Sequence, residues 1–225
     1  MVIQVKRARD REQKRERRGD ILAEARQLLQ ERPFAEITMA QVAAKCGLAK
    51  GTLYLYFKTK EELFLALMEQ ESTLWFDAVE RGLEAMKGGS NREAVRRLMV
   101  EATLAQSDYP RLLGLLHGVL EHNLPTEVAH GFKLEQLRRT ERAARALEKR
   151  LGFLKPGQGM ELLLRFQALV AGLQPMAEPA SAMKEILQFP GLEALQVELG
   201  SALNGALQAM LMGMEQQAAE GKTIK

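Results

Sequence analysis

The chain has 225 residues, with 32 Lys and Arg against 29 Asp and Glu and one cysteine, Cys46. A single cysteine excludes an internal disulfide framework and a multi-cysteine zinc site, and no apolar run reaches the 18 or so residues of a membrane span. The near-neutral total hides an asymmetry: residues 1–60 hold 14 Lys/Arg and 7 Asp/Glu, whereas residues 61–225 hold 18 and 22. One end is therefore suited to binding an anion. No secretory signal pattern is found, so we expect a soluble cytoplasmic protein without membrane contact.

The first part of the chain is basic and then helical. Residues 1–18 hold eight Lys/Arg and three Asp/Glu and have almost no apolar residue after Val5. This basic arm either extends the following helix or stays mobile, and its charge favours contact with an anion such as phosphate. The next helix is predicted from Arg18 to Glu31, and Arg32-Pro33 ends it because a residue before proline leaves the helical region.

Two short helices are predicted on either side of a glycine turn. Thr38 caps the first in a capping box with Gln41, and Gly47 closes it in a left-handed conformation. The second covers about Lys50 to Phe57. Two such helices around a tight turn have the spacing of a helix-turn-helix.

The second of these helices presents groups that suit a major groove. Leu53 and Phe57 are four residues apart and should pack inward. The side chains left to project outward are a cation, a hydroxyl and two phenols, which can bind bases and phosphates: Lys50, Thr52, Tyr54 and Tyr56.

The remaining chain predicts seven further helices and no strands, so the fold is all-α. Capping boxes are predicted at Thr59 with Glu62 and at Ser90 with Glu93. The approximate bounds of these helices are 59–86, 90–108, 110–121, 125–152, 160–173, 180–188 and 192–217, followed by a frayed tail at 218–225.

Two stretches of this region form a signature: Thr38-Met39-Ala40-Gln41-Val42-Ala43 and Gly47-Leu48-Ala49-Lys50-Gly51-Thr52-Leu53-Tyr54-Leu55-Tyr56-Phe57-Lys58-Thr59-Lys60-Glu61-Glu62-Leu63. Together they resemble the DNA-binding signature of the TetR family of bacterial transcriptional regulators. The resemblance covers about residues 18–67. It implies an N-terminal three-helix helix-turn-helix domain and a C-terminal helical ligand-binding and dimerisation domain. The implied divisions are a basic arm at 1–18, a DNA-binding domain at 19–65, an effector-binding and dimerisation domain at 66–217 and a tail at 218–225.

The resemblance also implies which residues bind double-stranded DNA. Lys60 falls on a lysine that typically holds a phosphate, and a helix N-terminus itself attracts phosphate. Ala49 stands where the family usually has a serine, a change that removes a cap worth about 1 kcal/mol. The implied DNA-contacting positions are Thr38, Ala49, Lys50, Gly51, Thr52, Tyr54, Tyr56 and Lys60.

For the rest of the chain, the resemblance implies a homodimeric repressor that a small apolar effector releases from a palindromic operator. The dimer would form through the helices at Met160–Leu173 and Leu192–Gln217, where small residues recur at helical spacing. The effector pocket would be lined by Trp75, Phe76, Leu98, Met99, Ala102, Leu113, His117, Phe132 and Phe166. The alternative is a DNA-binding regulator without a small effector, controlled by a protein partner or acting as an activator.

Other functional classes explain the sequence less well. No nucleophile elbow, Walker loop, dinucleotide fingerprint or His-Glu-x-x-His pattern is present, so we predict no enzyme, no cofactor and no metal site. His117 and Glu121 share a helical face, but we interpret His117 as lining a pocket or satisfying a core hydrogen bond. A scaffold on a membrane surface would use the basic arm but leaves the helix-turn-helix register unexplained.

Overall fold

The computed structural model describes the backbone of residues 2–89, 91–122 and 124–223 and the side chains of residues 12–89, 91–122 and 124–220. Within these ranges the regular secondary structure is helical and contains no strand, which confirms the all-α prediction. No helix in the same ranges is long and apolar enough to cross a bilayer. The chain divides into two compact units. Unit 1 contains the chain up to Gln70 together with Leu116–Ala129, and unit 2 contains Glu71–Leu115 and the chain from His130 onward.

Unit 1 is built on α1 (Val2–Glu31), α2 (Met39–Lys45), α3 (Lys50–Leu53) and the first part of α4 (Lys60–Ala85). Of the two alternatives for the basic arm, the structure shows the helical extension, because α1 is continuous from Val2. The side chains of residues 1–11 lie outside the described residues. The C-terminal end of α1 lies just before Arg32-Pro33, as predicted.

The core of unit 1 follows from the apolar spacing of its helices. One face of α1 is buried, and α2 packs on α1 and on α3. Leu53 and Phe57 are fully buried, which confirms that they point inward. The buried side chains that α1 and α2 contribute are Ile21, Leu22, Ala25, Leu28, Leu29, Met39, Val42 and Ala43.

The helix predicted over Lys50 to Phe57 is shorter than expected, since α3 ends at Leu53. After it the backbone tightens into bonds that span three residues, from Leu55 N to Thr52 O (3.1 Å) and from Tyr56 N to Leu53 O (2.9 Å). Such bonds are typical of the last turn of a helix. The segment nevertheless continues as one compact turn to Phe57.

Unit 2 contains the second part of α4, the part of α7 (Thr126–Arg150) from His130 onward, and further helices that lie wholly within it. These are α5 (Arg92–Leu104), α6 (Asp108–Leu115), α8 (Gln158–Ala177), α9 (Ser181–Ile186) and α10 (Leu199–Thr223). Within this unit α6 packs on α8, and α10 packs on both α5 and α8. The Arg150 guanidinium of α7 donates to the Gly88 and Leu83 carbonyls at 2.9 and 2.8 Å, which satisfies the C-terminal end of α4.

Two predicted boundaries in the first half of unit 2 are wrong. The cap of α5 is Asn91, whose Oδ1 accepts from Ala94 N at 2.9 Å, rather than Ser90, which lies outside the described residues. The start of α6 is Asp108 rather than Pro110, because a proline is tolerated in the first turn, where amide groups have no helical partner. A π-helical turn over Leu116–Leu120 follows α6.

The helices predicted for dimerisation also have different bounds. α8 begins two residues before Met160 and continues past Leu173, through Pro175, to Ala177. α10 begins at Leu199 rather than Leu192, after a 3-10 turn over Glu193–Leu195. The tail predicted to fray at 218–225 is helical in its backbone to Thr223; residues 224 and 225 lie outside the described ones.

Candidate DNA-binding surface and effector region

The N-terminus of α2 has the capping box that the sequence predicts. Gln41 N donates to Thr38 Oγ1 at 3.3 Å, and Gln41 Oε1 accepts from Thr38 N at 2.8 Å and from the Thr38 hydroxyl at 3.0 Å. These bonds hold an exposed Thr38 at the first turn of α2. Its hydroxyl is therefore fixed in place before any partner arrives.

The turn between α2 and α3 depends on Gly47, whose φ of +64° is a left-handed conformation that L-residues disfavour. Ala49, the N-cap residue of α3, is exposed and makes no side-chain cap bond. The cap that a serine would supply is therefore missing, as the sequence predicts.

The recognition segment, defined as Lys50–Phe57, separates a buried side from an accessible one. Lys50 and Gly51 are exposed, while Thr52, Tyr54 and Tyr56 are half-buried. Two cations lie beside the phenols: Lys50 Nζ is 5.9 Å from the Tyr54 ring centroid, and Lys14 Nζ of α1 is 6.0 Å from that of Tyr56. The predicted hydroxyl, phenol and ammonium groups thus occur together on one accessible surface.

Lys60, the first residue of α4, is turned toward the protein. Its Nζ donates to the Phe34 and Ile37 carbonyls, both at 2.9 Å, and lies 4.0 Å from the Phe34 ring centroid. Burial lowers the pKa of the Lys60 ammonium. Two of its three protons are therefore used within the protein, whereas the sequence predicts a phosphate contact.

The predicted capping box of α4 is present only in part. Glu62 N donates to Thr59 Oγ1 at 3.0 Å, as a cap requires. In a full capping box the Glu62 carboxylate would accept from Thr59 N. It accepts instead from the N–H of the preceding residue, Lys58 N, at 2.7 Å. The bond ties the start of α4 to the end of the recognition segment.

A surface groove of about 620 Å³ lies between α1 and the recognition segment. Leu55, for which the sequence predicts no role, lines this groove and is 68% exposed. The signal was available: Leu55 lies between Leu53 and Phe57, which already occupy the inner face, so it cannot be buried with them. The other residues that line the groove are Gln13, Lys14, Glu16, Arg17, Asp20, Thr52 and Tyr56.

Comparison with known families identifies both parts of the chain. Residues 21–67 match the family described as bacterial regulatory proteins, tetR family. Residues 69–218 match the tetracyclin repressor-like C-terminal domain. The chain belongs to the TetR family of bacterial transcriptional regulators.

Curated relatives match this TetR-family protein over shorter stretches. The regulator EthR of Mycolicibacterium smegmatis is 33% identical over 82 residues, which are 36% of this chain and 37% of that protein. The uncharacterized regulator YerO of Bacillus subtilis is 29% identical over 82 residues, 36% of this chain and 28% of that protein. Nucleoid occlusion factor SlmA of Idiomarina loihiensis is 40% identical over 58 residues, 26% of this chain and 30% of that protein. The chain thus spans about a third of the length of these relatives.

Solved structures share the fold over most of the chain. A TetR protein from Acinetobacter baumannii has a TM-score of 0.55 at 18% identity, covering 89% of this chain and 97% of that one. A TetR/AcrR-family regulator from Thermobifida fusca has a TM-score of 0.53 at 17% identity, covering 87% and 97%. At these identities the likeness shows the fold.

In unit 2 of this TetR-family protein, aromatic side chains form a buried cluster around Trp75 of α4. Its ring stacks on Tyr109 at 5.3 Å between centroids and on Phe166 at 6.2 Å, and it meets Phe76 edge-on at 5.0 Å. Trp75 Nε1 donates to Thr103 Oγ1 at 2.9 Å. The structure therefore brings three of the predicted pocket residues together and adds Tyr109, for which the sequence predicts no role. Met99, Leu113 and Phe132 are buried in the same unit.

His117 does not have the buried position that the sequence predicts. It lies in the π-helical turn of unit 1, and its side chain is 65% exposed. Its Nδ1 is 3.2 Å from Glu121 Oε2, an exposed contact between residues one turn apart. Among the described residues, no group of three His, Cys, Asp or Glu side chains is placed to hold a metal ion.

Proposed function

We propose that this TetR-family regulator is a sequence-specific repressor that binds a palindromic operator as a homodimer and is released by a small apolar effector. In this proposal residues 19–65 read DNA and residues 66–217 bind the effector and the partner subunit. The observation that carries it is the recognition segment, where buried Leu53 and Phe57 fix the backbone and polar side chains stay accessible. The basic residues 1–60 supply the charge that phosphates require.

Each accessible group has a role in this proposal. Thr52 suits a base edge, since a hydroxyl both donates and accepts, and exposed Gly51 lets the backbone approach the DNA closely. Lys50, Tyr54 and Tyr56 suit phosphates or adjacent bases, and Thr38 and Ala49 lie where the backbone of DNA would pass. Lys60 acts in this proposal mainly by fixing the start of α4, because its ammonium is bound to two carbonyls.

The proposal of a homodimer rests on exposed small and apolar residues of α8 and α10, two helices that pack on each other. Leu164, Ala168 and Gly172 are exposed or half-exposed at helical spacing on α8, and Ala209, Met212 and Gly213 are exposed on α10. Small residues permit close helix approach, and the leucine and methionine supply apolar area. Two copies related by a two-fold axis would bury the same face in each subunit and place two recognition segments on one palindrome.

An apolar effector is proposed from the composition of the unit 2 interior. The rings of Trp75, Phe76, Tyr109 and Phe166 would give an apolar ligand stacking surfaces. The Thr103 hydroxyl and the Gln167 amide are also buried there and would orient its polar atoms.

Release would follow from a shift between two dimer states. The single helix α4 carries Lys60 in unit 1 and Trp75 and Phe76 in unit 2, so it can transmit effector binding toward the recognition segment. An effector that prefers the released state by about 1.4 kcal/mol weakens operator binding tenfold.

The experiment that tests the proposal is selection of genomic DNA fragments by the purified protein at about 150 mM salt, because DNA affinity depends strongly on salt. The Thr52→Ala/Tyr54→Ala double variant is the control, with its folding checked by circular dichroism. We expect one palindrome to be enriched by the wild type and lost in the control. Diffuse enrichment that persists after unfolding, ligand removal and refolding would contradict sequence-specific repression.

A further inference from the structure

The Leu55 side chain is exposed and contributes little to the core of unit 1. At 68% exposure it is the most exposed of the large apolar side chains among the described residues. Its neighbours Thr52 and Tyr56 are half-buried, and Leu53 and Phe57 already fill the inner side of the recognition segment. Exposed single leucines are common on proteins, but this one belongs to the recognition segment, which in the proposed function enters the DNA groove.

The charges that line the groove beside Leu55 indicate which part of DNA the groove can bind. Lys14 and Arg17 are matched by Glu16 and Asp20, and Arg17 Nη1 lies 3.7 Å from Asp20 Oδ2. A phosphate placed here would meet two carboxylates as well as two cations, so charge does not favour it. A base edge is a better match, because it presents donors, acceptors and, for thymine, a methyl group.

We infer that Leu55 is a specificity-determining residue that packs on the C5-methyl group of a thymine in each operator half-site. This inference rests on the proposed function, since it needs the recognition segment to enter a major groove. The methyl group is the one apolar feature of a base edge there, and contact with an apolar side chain distinguishes thymine from cytosine. Lys14 stays beside Tyr56 in the charge-balanced groove, whereas Lys50, which is not among the groove residues and lies beside Tyr54, takes a neighbouring phosphate.

The test removes the methyl group from the DNA rather than from the protein. Once selection has given an operator, each thymine of a half-site is replaced singly by deoxyuracil, which keeps base pairing and lacks only the methyl. Affinity is measured at fixed salt for the wild type and for Leu55→Ala. We expect one position at which the replacement weakens wild-type binding about fourfold, and about sixteenfold when both half-sites carry it.

The protein variants separate the contact from changes in the DNA itself. In Leu55→Ala the thymine and deoxyuracil operators should bind equally well, because the methyl group no longer has a partner. Leu137→Ala, the same change at a 48% exposed site on α7, should keep the full thymine preference. Thermal melting should be unchanged in both variants, since neither side chain is buried.

Two results would overturn the inference while leaving the proposed function intact: wild-type binding that no deoxyuracil replacement weakens, or a thymine preference that survives in Leu55→Ala. If the wild type selects no specific sequence at all, the proposed function fails and the inference with it. The selection step thus distinguishes the two failures.

Discussion

Replacing Lys60 with methionine tests whether this lysine stabilises unit 1 or holds DNA. Methionine keeps the apolar stem and removes the ammonium, together with two bonds of 2.9 Å to the Phe34 and Ile37 carbonyls and the contact with the Phe34 ring. Hydrogen bonds from a charged donor contribute about 1.5–3 kcal/mol each when buried. Because Lys60 is half-exposed and water can reach the freed carbonyls, we expect a total loss of about 2 kcal/mol in the free energy of unfolding.

Urea unfolding followed by circular dichroism measures this loss, and hydrogen exchange locates it. Amides of α2 and of the 3-10 turn Phe34–Glu36 should exchange faster in Lys60→Met, because the lysine ties that turn to α4. The only tryptophan, Trp75, belongs to unit 2, so its fluorescence reports the other unit in the same samples. Lys58→Met is the matched control, since the side chain of Lys58 is exposed and its Nζ makes a longer bond, 3.3 Å to Tyr54 O.

The slope of operator affinity against salt separates the two roles of Lys60. If the ammonium mainly holds carbonyls, Lys60→Met leaves the slope nearly unchanged. If it holds a phosphate, the slope falls by about 0.9 for each phosphate that is no longer neutralised, and stability stays close to that of the wild type. A loss in unfolding free energy below about 0.5 kcal/mol together with a reduced slope would refute the structural role.

Three further predictions concern unit 2. Gly159→Ala should lower the free energy of unfolding, measured in urea, by about 2 kcal/mol or more, because the new Cβ would lie 2.4 Å from the Ala144 carbonyl oxygen. The control Gly19→Ala, whose Cβ would meet open space, should not lower it. Burial raises the pKa of Tyr109, so above about pH 10 the unfolded state loses a proton that the folded state keeps. Wild-type stability should therefore fall relative to Tyr109→Phe by about 1.4 kcal/mol per pH unit; parallel pH profiles would contradict this. Ala168→Glu should shift the sedimentation of the dimer to that of a monomer, and an unchanged dimer would exclude the exposed α8 face from the interface.

Near the recognition segment, the features that the sequence predicts correctly are local ones. The Thr38–Gln41 capping box and the left-handed Gly47 each depend on residues within one turn, so their spacing reveals them. The partners of Lys60 lie in and just after a 3-10 turn more than 20 residues earlier in the chain, and no spacing rule connects them with α4. The position of Lys60 in a recognised motif was therefore predictable, and the direction of its side chain was not.

In unit 2, too, contacts between helices that are far apart in the sequence could not be predicted from local spacing. The helix predicted to end at Leu173 continues through Pro175 as α8, which packs on α6. The two helices approach closely at Gly114 of α6, where an added Cβ would lie in ordinary contact, 3.5 Å from the Ala171 carbonyl oxygen and 3.8 Å from the proline ring. The role of Tyr109 was not predictable for a related reason, since its stacking partner Trp75 belongs to another helix.

The helical extension of α1 is joined to the recognition segment by cation–aromatic contacts. The Arg18 guanidinium lies 4.5 Å from the centroid of the buried Phe57 ring, and Lys14 lies one turn earlier, beside Tyr56. Cation–π contacts contribute about 0.5–1 kcal/mol when exposed and more when desolvated, so the Arg18 contact is the stronger of the two. Because α1 is continuous and one face of its next turn is buried in unit 1, these cations keep a fixed position relative to the recognition segment. The described part of the basic extension is therefore held next to the recognition segment, the surface that we propose binds DNA.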